Sequence, residues 1–154
     1  MNHEPRMLID GKLVESESGR RFDVINPATE EVIGTAADGT RADMERAVAA
    51  ARRAFDTTDW SRNHAFREAC LRQLQAALEA EREEIRGELI AEVGCPLLST
   101  YGPQLDAPLS EAITWPADMI SQFPWKRELP DKDAFGMGAL SAREVGKEPV
   151  GVVG

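Results

Sequence analysis

A chain of 154 residues with 42% hydrophobic and 6% aromatic residues has the size and composition of one globular domain. Its 18 Lys and Arg against 27 Asp and Glu give a formal charge of −9, which argues against nucleic acid or an anionic bilayer as a partner. No apolar run is long enough to span a membrane, and Met1–Pro5 lacks the basic start of a secretory leader, so a cytoplasmic protein with two reduced thiols, Cys70 and Cys95, is expected.

Asp10-Gly11 between Met7-Leu8-Ile9 and Lys12-Leu13-Val14 predicts a β-hairpin, because both turn residues tolerate positive φ. Phe22 to Asn26 reads as a strand ended by Asn26-Pro27, and Val32 to Ala36 as its neighbour across a turn at Pro27 to Glu31. Thr40 with Asp43 three residues on predicts a capped helix to about Phe55, its apolar face carried by Met44, Ala47, Val48, Ala51 and Phe55. After Asp59-Trp60-Ser61 a long helix is expected from about His64 to Val93, striped by Phe66, Cys70, Leu74 and Leu78 and stopped by Gly94 and Pro96. A third helix is expected from Asp106 to about Gln122, kinked or split at Pro116. Phe123 to Gly138 reads as a Pro-, Gly- and Asp-rich loop, Ala139 to Lys147 as an extended segment, and Val150 onward as the start of a buried parallel strand. The fold class is therefore α/β, although neither G-x-G-x-x-G nor a P-loop occurs.

Three segments in this order, Ile9-Asp10-Gly11-Lys12-Leu13-Val14, Phe22 to Gly34 and Lys147-Glu148-Pro149-Val150-Gly151-Val152-Val153-Gly154, resemble the N-terminal part of the NAD(P)-dependent aldehyde dehydrogenase superfamily. The resemblance implies the N-terminal part of a coenzyme-binding domain over 1–138, made of hairpins and three or four helices. It further implies an oligomerisation arm over 139–149 and, over 150–154, the first strand of an incomplete Rossmann-like sheet. The implied activity is oxidation of an aldehyde to a carboxylic acid with NAD or NADP, through a cysteine thiohemiacetal. The family's nucleophilic cysteine, general-base glutamate and oxyanion asparagine match no position here, so no catalytic or cofactor-binding residue is expected in this chain. By itself it is expected to be inactive and to bind no dinucleotide. The alternative is a non-catalytic truncated subunit that acts as an oligomerisation partner of full-length enzyme through its arm.

Two further groups of positions follow from the resemblance. Ile25, through its main-chain carbonyl, and Glu92 match ligands of a structural monovalent cation found in some members; an ordinary strand residue and a helix-end acid, without a metal, is the favoured explanation. Ala107, Glu111 and Trp115 match the helix that lines the aldehyde tunnel, and a core-packed amphipathic helix gives the same pattern. Cys70, on its helical stripe, reads as a small buried hydrophobe, and Cys95, where the family commonly has lysine, as a loop thiol. His3 and His64 are too isolated for acid-base or metal chemistry, and Glu79 to Glu84 reads as a solvated face with local Glu/Arg pairs.

Overall fold

The computed structural model describes residues 4–133, 136–138 and 140–153. Two antiparallel hairpins open the chain. β1 (Met7–Ile9) and β2 (Lys12–Val14) pair across Asp10 and Gly11, both left-handed with φ of 55° and 72°, the geometry of the tight turn that matches strand twist. β3 (Arg21–Ile25) and β4 (Val32–Ala37) pair with a bulge at Val24/Ile25. Their turn is built by Asn26, whose Oδ1 accepts the amides of Ala28 and Thr29 at 2.8 and 3.2 Å.

α1 (Arg41–Thr57) starts with a complete capping box: the Thr40 hydroxyl accepts the Asp43 amide and the Asp43 carboxylate accepts the Thr40 amide. Asp43 is buried, and its carboxylate also receives the Glu17 amide at 3.2 Å, the Ser16 hydroxyl at 3.2 Å and the Arg46 guanidinium. The Thr40 amide, followed by the Thr40 hydroxyl, the Glu17 amide and Arg46, holds this carboxyl well below the usual aspartate range against the opposing effect of burial. One side chain thus ties the loop after the first hairpin to the start of α1, and Arg53 to Asp10 at 2.9 Å joins the later half of α1 to the hairpin turn.

The expected long helix is two helices. α2 (His64–Ala80) and α3 (Arg82–Val93) break at Glu81, whose φ of −100° and ψ of 10° interrupt the ladder without proline or glycine. A short α4 (Leu97–Thr100), unread in the sequence, follows. The expected third helix is also two, α5 (Asp106–Glu111) and α6 (Thr114–Gln122). Pro116 does not kink it: proline lacks only the amide that a first turn leaves unbonded, so it sits inside the start of α6 and the break falls before it.

The expected loop from Phe123 is largely β5 (Lys126–Asp133), paired antiparallel with β6 (Leu140–Gly146). Pro130 had argued against a strand, but it lies where the register shifts between Leu129 and Lys132, a bulge that needs no donor there. The run from Val150 forms no strand among the described residues, and Val150 is 97% exposed. Among the described residues three two-stranded antiparallel sheets and six helices make an α/β fold, and no described helix is long and apolar enough to cross a membrane.

The core is small and runs from the α3–α4 junction to the seam of α5 and α6 on α2: Ala91, Cys95, Leu105, Leu109 and Ala117 are its buried apolar residues among the described residues. The stripes of α1 and α2 are largely uncovered, with Met44, Phe66 and Leu74 about half exposed or more. Cys70, expected as a buried hydrophobe, is half-buried, and Cys95, the loop thiol, is buried under the end of α3.

Candidate substrate groove and cation positions

The groove is set from beneath by one buried cation. Arg86 of α3 is 4% exposed and donates to the Thr100 hydroxyl of α4 at 2.8 Å and to Asp106, first residue of α5, at 2.8 Å. Glu83 receives a further forked contact, and the guanidinium lies 4.2 Å from the Tyr101 ring centroid. The carboxylates of Glu83 and Asp106 raise its pKa further above the usual arginine range, so it stays charged while buried. A planar five-donor fork can satisfy several acceptors at once, which fixes α3, α4 and α5 relative to one another.

On the outer side of α5 and the start of α6, Ala107, Glu111 and Trp115 line one open hollow of about 640 Å³ together with Pro103, Pro108 and Pro116. The three tunnel positions of the sequence reading therefore share a face. Trp115 is 67% exposed, so the indole stands over the hollow rather than in the core. An apolar wall of alanine, prolines and an indole with one carboxylate suits a small organic molecule carrying one polar group. Beneath, the Gln75 side-chain amide of α2 donates to the Leu109 carbonyl, and Arg72 pairs with Asp118 at 2.8 Å, which anchors both α5 and α6 on α2.

Ile25 and Glu92 lie on neighbouring elements. The turn after β3 packs on the end of α3: a Cβ on Gly94, which has φ of 68°, would sit 2.9 Å from Pro27 Cγ. Glu92, however, faces a hollow of about 500 Å³ with Val24 and the glutamates Glu81, Glu84 and Glu88. Among the described residues no group of three or more His, Cys, Asp or Glu is arranged to hold a metal. A hard cation requires six or more oxygens, so this pair does not amount to a cage.

The sequence reading missed Arg86, Thr100 and Asp106 as a unit. An arginine three residues from a glutamate on an acidic helix carries the pattern of a surface pair; only the hydroxyl and carboxylate that follow a stop at Gly94 and Pro96 hint at partners. The Glu79–Arg82 pair, by contrast, is the local kind expected for that run.

The sequence profile of the aldehyde dehydrogenase family matches residues 13–154. The chain belongs to that family. A 3-succinoylsemialdehyde-pyridine dehydrogenase of a Pseudomonas species is 34% identical over 148 residues, covering 95% of this chain and 28% of its own length. An aminoacetaldehyde dehydrogenase of Pseudomonas aeruginosa is 33% identical over 153 residues, covering 97% of this chain and 29% of its own. Among solved structures, an indole-3-acetaldehyde dehydrogenase mutant of P. syringae, bound to NAD+ and IAA, superposes with a TM-score of 0.77 at 28% identity over 84% of this chain and 26% of that one. Betaine aldehyde dehydrogenase of Staphylococcus aureus in complex with NAD+ gives 0.72 at 29% identity over 81% and 24%. This aldehyde dehydrogenase chain thus spans under a third of the length of the relatives it matches, and its hairpins and helices are those of their N-terminal region.

Proposed function

We propose that this chain builds the N-terminal wall of an NAD(P)-linked aldehyde-oxidising unit. The observation that carries the reading is the placement of Ala107, Glu111 and Trp115 along one hollow, in a chain of this family whose structural neighbours hold NAD+. In such a unit a thiolate adds to the aldehyde, hydride leaves for the nicotinamide, and water releases the acid. The residues of this chain position and do not react: the indole and prolines exclude water from an apolar aldehyde chain, Glu111 receives a donor or cation on it, and Arg86 keeps α5 in place. The alternating edges of β5 and β6 form the arm, through which 139–149 joins a second subunit. The two free thiols fit a reducing cytoplasm. The Ile25 carbonyl and Glu92 contribute at most three oxygens to a cation whose remaining ligands come from elsewhere.

Residues 13–154 exchanged into the Pseudomonas 3-succinoylsemialdehyde-pyridine dehydrogenase are expected to give a chimera that forms NADH with aldehyde. Trp115→Ala in it is expected to raise KM more than it lowers kcat. A folded, soluble chimera without activity overturns the reading. The 154-residue chain alone is expected to form no NADH and to cross-link to itself through the arm; turnover by the chain alone, or a monomer at all concentrations, removes those two parts separately.

A further inference from the structure

We infer that the cavity between the α1–α2 corner and the base of the β5–β6 hairpin is a binding site for a small oxyanion of the phosphate class. The cavity, about 810 Å³, is bounded by the last turn of α1, by Ser61 to His64, by Arg67 and Trp125, and by Lys147 to Pro149. Its cationic and ring N–H donors outnumber the carboxylates that reach them. Arg67 Nε is buried and has no partner among the described residues, and an orphaned buried donor of this kind marks a missing acceptor. Arg67 Nη2 lies 2.7 Å from His64 Nδ1. A guanidinium only donates, so Nδ1 accepts and the proton of a neutral His64 sits on Nε2, a second donor. Arg62 and Lys147 add two cations with no ion pair among the described residues.

The donors are held in place. His64 packs on the Trp125 ring at 4.3 Å between centroids and Arg67 lies 5.4 Å from it, while the Trp125 indole donates to the Ile120 carbonyl at 2.8 Å. Lys147 is fixed beside them by its amide, which donates to the Trp125 carbonyl at 2.8 Å. Of the carboxylates on the cavity, Asp56 is paired with Arg52 at 3.1 Å and Asp59 accepts from Asn63 at 2.7 Å. Asp59 and Glu148 have no cationic partner among the described residues and oppose an anion. The balance of Arg62, Arg67 and Lys147 against Asp59 and Glu148 is still cationic, by one charge, in a chain of net charge −9, and the 17-residue α2 points its positive end at the same space. Since the faces of Trp125 are already covered by His64, Arg67 and Phe123, the ligand needs charge and acceptors rather than a ring.

The test is a titration of the 154-residue chain carrying Trp60→Phe and Trp115→Phe, so that Trp125 alone reports, with inorganic phosphate and pyrophosphate at constant ionic strength. A saturable fluorescence change is expected, with pyrophosphate tighter than phosphate and chloride silent. Arg67→Gln and the exposed Lys147→Gln are each expected to weaken it about tenfold, and Glu148→Gln to tighten it. No saturable change in a folded chain, an equal change with chloride, or indifference to Lys147→Gln overturns the assignment, the last even where Arg67→Gln fails to fold.

Discussion

The corner of α3, α4 and α5 and the β5–β6 hairpin are both dense in charge, and they use it in opposite ways. In the corner a single guanidinium is withdrawn from water and given acceptors from three helices. From Lys126 to Lys132 the charges stand in solvent, where Lys126 and Glu144 pair across the strands at 3.2 Å with 74% and 52% of their side chains exposed. A buried charge specifies geometry because losing any partner leaves a desolvated group unpaid; an exposed pair can trade its partner for water. The groove is therefore fixed by the chain's own side chains, whereas the hairpin is held by its backbone ladder.

The contrast can be broken at its strong end. Arg86→Met leaves Thr100 and Asp106 without their donor, and the largest fall in thermal midpoint of any single change is expected, with a broadened transition; an unchanged midpoint would remove the corner's special standing. Leu109→Ala, next in size, opens the buried seam of α5 and is expected to cost about 2–3 kcal/mol in urea unfolding. Thr40→Ala removes the α1 cap and is expected to cost about 1 kcal/mol. Lys126→Ala in the hairpin, the smallest, is expected to stay within about 0.5 kcal/mol; a larger loss would show that the hairpin too depends on its charges.

Acid sharpens the comparison from another side. Asp43 has a native pKa below its unfolded value, so the stability it contributes is complete above the ordinary aspartate value of about 4 and is lost as pH falls through its lower native value. Denaturation curves followed downward from about pH 5 should fall less steeply for Asp43→Asn than for the parent, while Lys126→Ala leaves the slope alone.

What could be read from the sequence is what nearest neighbours decide. Asp10-Gly11, Asn26-Pro27, Thr40 with Asp43 and the Gly94 stop each act within a few residues, and each appears in the structure where the sequence places it. The break at Glu81 escaped because nothing in Glu79 to Glu84 disfavours helix locally. β5 escaped because Lys-Arg-Glu-Leu-Pro-Asp-Lys-Asp has neither alternation nor β-branched residues, and pairing with β6 overrides propensity. Of the groove, Ala107, Glu111 and Trp115 were marked by the family resemblance rather than by any local pattern, and the Arg86 support depends on segments 14 and 20 residues apart along the chain. Cys95 is the loop thiol expected, but its burial was not legible for the same reason, since packing beneath α3 is a tertiary matter.

Gly94 carries a consequence of a different kind. Its hydrogen occupies the 2.9 Å clearance to Pro27 that no methyl could share, so it works as a feeler gauge between a turn and a helix end. Ile25 and Glu92 stand on either side of that gauge. A single added carbon would respace them, whatever their own side chains were.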